Sequence, residues 1–162
     1  MGHQRFYLEL RADREPPLAD AWPDTYSLRR EESPAPALCR MLYRDVGEAY
    51  AWVDRSRWTD EEWAAYVEQP DLTLWVLRAH DDPAGYFELK READGQSVEI
   101  AYFGLRPGYV GRGHGSGLLA AAVREARALG ASRVWLHTCT KDHPHALANY
   151  QARGFRVFKV ED

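Results

Sequence analysis

The sequence predicts an α+β domain: a central, twisted, mostly antiparallel sheet flanked by helices. Three observations carry this. Leu72–Ala79, Ala84–Arg91 and Val98–Leu105 are strand-like runs separated by Asp81-Asp82-Pro83 and Ala93-Asp94-Gly95, which reads as an antiparallel meander. Stretches with helical apolar spacing lie on both sides of the meander. A loop with four alternating glycines, Gly111 to Gly117, joins the third strand to an Ala/Leu-rich run, Leu118 to Leu129. The 162 residues show no composition break, so a single domain over 1–162 is expected.

Along the chain, Phe6–Leu10 alternates weakly as a first strand, and Tyr26–Arg30 is a second short candidate. Glu15-Pro16-Pro17 and Trp22-Pro23-Asp24 break regular structure between them. From Ala37 to Trp52, Leu38, Met41, Leu42, Val46, Ala49 and Tyr50 repeat with helical spacing, which Val53 continues. Thr59 followed by Glu62 has the form of a capping box, opening a helix that carries Trp63, Tyr66 and Val67 and stops at Pro70. After the meander, Gly115–Leu129 reads as a helix closed by Gly130, Val134–Thr138 as a strand, Pro144–Arg153 as a short helix closed by Gly154, and Phe155–Val160 as the last strand. The predicted order is β-α-α-β-β-β-α-β-α-β.

Composition narrows the function. The net charge of −4 gives no reason to expect nucleic acid. No apolar run approaches the ~20 residues of a membrane span, and the N-terminal residues lack the apolar stretch of a signal peptide. Two cysteines far apart, Cys39 and Cys139, fit a reducing cytoplasm better than a disulfide framework. From Gly104 onward nine basic residues face four acidic ones, a net of +5, which leaves −9 on the rest of a chain whose total is −4. The basic part carries the glycine loop and would attract a polyphosphate; the acidic part would suit an amine.

A strand, a glycine loop and a helix start together form an anion site, because the first helical N–H groups have no intrahelical partner. Spacing excludes three familiar versions. A G-x-G-x-x-G fingerprint would need glycine at Ser116 or Leu118; a Walker A loop would need lysine at His114; a nucleophile elbow would need glycines at His114 and Leu118 around Ser116. What remains is a loop that offers bare amides to a phosphate.

At this point the residues resemble the GNAT (Gcn5-related) N-acetyltransferases. Their core motif, Q/R-x-x-G-x-G/A between a strand and a helix, aligns with Val110-Gly111-Arg112-Gly113-His114-Gly115, preceded by Pro107 and Tyr109 and followed by Leu118-Leu119. Val110 departs from the Q/R position. A second register, with Arg112, Gly115 and Gly117, misplaces Pro107 and Tyr109. A downstream family run, N-x-x-A-x-x-x-Y-x-x-x-G-F, aligns with His143 to Phe155, keeping Ala146, Tyr150, Gly154 and Phe155, with His143 in place of asparagine. The resemblance covers roughly residues 72–158 and implies a GNAT-like acyl-CoA N-acyltransferase fold.

The resemblance implies acetyl-coenzyme A as cosubstrate. Its pyrophosphate would sit on the amides of Gly111, Arg112, Gly113, His114, Gly115 and Ser116, and its pantetheine arm along Phe103, Gly104 and Leu105; His143 and Asn149 join these as cofactor-binding residues. Gly104 suits close backbone approach, or else a bulge. Tyr150 would protonate the departing sulfur. The base that takes the amine proton is either Glu99 or His137, whose ordinary pKa of ~6.5 suits the work. His137, Cys139, His143 and His145 could be read as a metal site, but their spacing matches no common zinc pattern and no metal is expected. Trp52, Trp58, Trp63 and Tyr66 fall where the family shapes its acceptor pocket, with Arg55 and Arg57 as candidate anchors, although Trp63 and Tyr66 read more simply as helix packing. The implied activity is acetyl transfer to a primary amine of a small molecule or peptide. The alternative is an acyl-CoA-binding or regulatory domain without catalysis, which Val110 and His143 would favour. Neither a nucleic acid nor a membrane is an expected partner, and a homodimer is compatible with the sequence.

Overall fold

The computed structural model describes residues 4–14, 22–48, 52–139 and 146–162. The Pro16-Pro17 break, Ala49, Tyr50, and His143 and His145 lie outside these. The elements are β1 (Arg5–Arg11), β2 (Tyr26–Glu31), α1 (Pro36–Gly47), α2 (Asp60–Val67), β3 (Leu72–Ala79), β4 (Asp82–Arg91), β5 (Ser97–Leu105), α3 (His114–Ala128), β6 (Arg133–Cys139), α4 (Ala146–Ala152) and β7 (Arg156–Glu161). They form an α+β fold, with both N-terminal strand candidates realised where the predicted order had one.

One seven-stranded sheet runs β2-β3-β4-β5-β6-β1-β7. Its pairs are antiparallel except β5 with β6. That parallel pair is joined through α3, as a parallel connection requires a crossover.

Alternation assigns the faces. On β4, Phe87 and Leu89 join the core under α3, while Tyr86 joins the core under α1 and α2. The α3 helix buries Leu118, Leu119, Ala122 and Ala126 on one stripe, so its small residues let it lie close to β4, β5 and β6. The α1–α2 layer packs Leu42, Val46 and Trp63 against Leu74 and Val76 of β3.

Helix ends follow their local chemistry. Thr59 accepts from the Glu62 amide while the Glu62 side chain accepts from the Thr59 amide, closing the capping box. After α3, Gly130 adopts φ 95°, Ala131 N–H donates to Ala126 and Gly130 N–H to Arg127, a Schellman closure. The helix α1 ends at Gly47, short of the predicted Trp52. A Cβ on Gly47 would lie 2.5 Å from the Trp52 ring, so the chain folds back onto the helix end there. Val53, which the periodicity placed on the helix, is 67 % exposed in the turn that follows.

Candidate active site

β5 and β6 pair only from Ser97–Arg133 to Glu99–Trp135. Beyond those rungs each strand continues, to Leu105 and to Cys139, without the other. Ala101 is an extra residue in β5, since Glu88 faces Tyr102 and Leu89 faces Ile100; such a bulge bends a strand. The parted strands border a cavity of about 620 Å³.

Its lining gathers much of what the sequence singled out. Phe103, Gly104, Leu105, Gly111, Gly113, Gly115, Ser116, His137, Asn149 and Tyr150 all border it. Arg112 and His114 turn their side chains elsewhere: the Arg112 guanidinium lies 5.8 Å from the Tyr109 ring, and the His114 ring 4.7 Å from that of Tyr26. Only their backbones remain available to the cavity. Cys139 and Arg153 also line it, as do Arg5 and Asp54, which sequence reasoning missed; these two stand in no motif, and the strand divergence that collects them leaves no local pattern.

The glycine loop fits an anion. Gly111 and Gly113 adopt φ 85° and 80°, a left-handed region that side chains resist. A Cβ on either would meet nothing within 4 Å, so backbone conformation rather than crowding calls for glycine, and open space lies beside the loop. Gly113 caps α3, whose first amides belong to His114, Gly115 and Ser116. The Ser116 hydroxyl donates to the Gly113 carbonyl at 3.2 Å, which stiffens the turn. Gly104 has a packing cause that the sequence does not show. A Cβ there would lie 2.5 Å from Val46 Cγ1, so Gly104 admits α1 to the sheet, and the bulge sits at Ala101 instead.

The titratable groups lie on opposite sides of the sheet. Tyr150 packs on the α3-side core, its ring 6.1 Å from Phe155. Glu99, between Val98 and Ile100 of that core, points to the other face, with its Oε2 3.9 Å from His137 Nε2. Burial, and then the nearby Glu92 carboxylate, raise the Glu99 carboxyl above its ordinary value.

The α1–α2 side of the cavity is built on a buried ion pair. Arg55 Nη1 reaches both oxygens of Glu88 at 2.9 and 3.2 Å, and Tyr66 donates to Glu88 at 2.8 Å. The rings of Tyr66 and Tyr102 lie 4.1 and 4.2 Å from the guanidinium. With Arg55 7 % exposed, it is no substrate anchor; it is a structural cation. Asp54 beside it accepts from Tyr102 at 3.3 Å, and Trp52 packs edge-on to Tyr102 at 4.8 Å. Among the described residues no group of His, Cys, Asp and Glu could hold a metal, and no helix is long and apolar enough to cross a membrane.

A split sheet with a glycine-capped helix beside the gap offers unpaired amides to an anion, and comparison gives the family. The profile of the Acetyltransferase (GNAT) family matches residues 9–155, and the chain belongs to that family, whose members are acyltransferases. The GCN5-related N-acetyltransferase from Sphaerobacter thermophilus superposes with a TM-score of 0.69 at 22 % identity, covering 98 % of this chain and 49 % of that one. A tandem GNAT protein from the clavulanic acid biosynthesis pathway gives 0.69 at 18 % identity, covering 97 % and 51 %. N-acetylglutamate synthase from Neisseria gonorrhoeae, solved with coenzyme A and N-acetyl-glutamate, gives 0.56 at 26 % identity, covering 72 % and 25 %. The chain thus spans about half the length of the first two. No curated protein matches it in sequence.

Proposed function

We propose that this protein transfers the acetyl group of acetyl-coenzyme A directly to a primary amine. The observation that carries the reading is the cavity between β5 and β6, with the Glu99–His137 pair on one side of the sheet and Tyr150 on the other.

Coenzyme A would supply an activated thioester and a thiolate leaving group. The amides of Gly111 to Ser116 would hold its pyrophosphate at the start of α3. Phe103, Gly104 and Leu105 present an unpaired strand edge along which an extended arm can add backbone hydrogen bonds. Asn149 and Arg153 border the same end.

An amine with an ordinary pKa near ~10.4 arrives protonated at neutral pH. Glu99 or His137 takes that proton, directly or through water. The nitrogen lone pair then forms the new C–N bond as the C–S bond breaks, Tyr150 delivers its proton to the departing sulfur, and the second proton leaving the nitrogen passes through water to restore the Tyr150 hydroxyl. A carboxyl raised by burial is a better base than an ordinary one. The site residues, the direct transfer and the cytoplasmic setting belong to this proposal, as does the reading of residues 1–162 as one catalytic domain.

The test is thiol release from acetyl-coenzyme A over a panel of primary amines, with Glu99→Gln and His137→Gln beside the native protein. Release that depends on amine and falls at least a hundredfold in one of the two variants supports the reading. Coenzyme A binding without release for any amine would replace it with the non-catalytic binding domain.

A further inference from the structure

The α1–α2 layer covers only part of its face of the sheet. Among the described residues, the core beneath it contains no residue of β6, β1 or β7. On that uncovered part, side chains from three neighbouring strands form an aromatic row that starts inside the cavity. His137 of β6 lines the cavity, and its ring lies 5.8 Å from Tyr7 of β1, its direct register partner. Tyr7 in turn lies 6.3 Å from Trp135 and 6.2 Å from Phe158 of β7.

The last member is placed by an irregularity. Tyr7 pairs with Lys159 and Leu8 with Val157, so Phe158 is an extra residue in β7. Regular alternation would alternate Phe158 with Lys159 across the sheet; the bulge brings both to Tyr7, with Lys159 Nζ 5.0 Å from its ring. Bulges re-aim side chains in this way, and here the result is a phenyl ring left 44 % exposed.

The charges around the row are engaged with one another. Arg133 holds Glu9 at 2.7 Å while lying 4.8 Å over the Phe158 ring. Trp135 donates to Glu92 at 2.7 Å, and Tyr7 donates to Glu161. The row therefore offers the ring surface that Arg133 and Lys159 leave open rather than a site for a second charge.

We propose that this row is a platform for the non-reacting arm of the acceptor, and that the acceptor is a primary amine carried on an aromatic arm. The inference rests on the acetyl-transfer reading above. Continuity through His137 places the platform where an amine at the Glu99–His137 pair would trail its substituent. Strands lie about 4.8 Å apart, so the row from β6 to β7 suits an arm of roughly 10 Å.

The experiment compares 4-phenylbutylamine with butylamine as acceptors, in the native protein and in Phe158→Ser, with coenzyme A affinity measured alongside. Ring stacking predicts about a tenfold higher kcat/KM for the aryl amine in the native protein. The variant should reduce that preference to about threefold or less, through KM, with coenzyme A affinity unchanged. A preference that is absent, or that survives Phe158→Ser, overturns the platform. Light scattering that shows a native dimer turned monomeric by Phe158→Ser also overturns it, because a second copy would then cover the row. If neither amine is acetylated, titration of both into the coenzyme A-loaded protein decides the platform separately. Tighter binding of the aryl amine that is lost in Phe158→Ser sustains it; equal binding overturns it.

Discussion

Glu99 and His137 meet where β5 and β6 separate: Oε2 of one lies 3.9 Å from Nε2 of the other, at the last paired rung, Glu99–Trp135. The carboxyl is partly withdrawn from water, and burial is the largest cause of its raised pKa. A raised carboxyl binds more protons folded than unfolded between the two pKa values. Stability therefore falls as pH rises through that window, and the cost persists above it. Glu99→Gln removes the titration. Urea unfolding should show the variant gaining on the native protein as pH rises from about 4 towards 7, with the gain retained at higher pH and lost again only when pH is returned to the ordinary carboxylate range. A gap independent of pH would refute this account of Glu99.

Tyr150 sits on the opposite side of the sheet from that pair, against the α3-side core. If its hydroxyl protonates the leaving sulfur, Tyr150→Phe keeps the ring packing on Phe155 and removes only the proton donor. Turnover should fall by roughly 10²-fold or more, with coenzyme A affinity within about twofold of native. Calorimetry and steady-state thiol release on the same preparation separate the two quantities, and unchanged turnover would remove Tyr150 from the chemistry.

How far these features could be read in advance depends on how local their causes are. The capping box at Thr59 and the closure at Gly130 are written within a few residues, so both are visible in the sequence and present in the fold. The strands β3 and β5 show as apolar runs between turns for the same reason. The glycine loop is legible because conformation calls for Gly111 and Gly113. The packing reason for Gly104 was not visible because it is Val46, more than fifty residues earlier, and nothing near Gly104 reports a helix on top. The bulges at Ala101 and Phe158 are equally silent: a register shift exists only between strands. Arg55 looked like a surface anchor because its partner Glu88 and its aromatic neighbours come from four separate segments.

The Gly104–Val46 contact makes a direct packing prediction. A methyl group at Gly104 would lie 2.5 Å from Val46 Cγ1 and force α1 away from β5. Gly104→Ala alone should cost about 1–3 kcal/mol, as overpacking does. In the background of Val46→Ala the same change should cost clearly less, giving a coupling of about 1 kcal/mol or more. Denaturant unfolding of the four proteins in the cycle measures it, and additive costs would mean the glycine is required for another reason.

The Arg55–Glu88 pair should respond in the opposite sense to single and paired changes. Both groups are buried, 7 % and 3 % exposed, and each neutralises the other at 2.9 Å. Arg55→Met leaves a carboxylate without its cation under Trp63 and Tyr66, and Glu88→Leu leaves a guanidinium enclosed by rings. Each single change should cost about 3–5 kcal/mol, because an uncompensated buried charge remains. The double change removes both charges and should be less destabilising than either single one. Tyr66 would still lose the acceptor for its hydroxyl, so the double variant should stay below native. The wall formed by Asp54 and Tyr102 follows the same pair, since Asp54 is the chain neighbour of Arg55 and accepts from Tyr102, which Glu88 faces across β4 and β5. Unfolding energies in which the double variant is as costly as the sum of the singles would show that the pair is not coupled, and that the wall is held by ring packing alone.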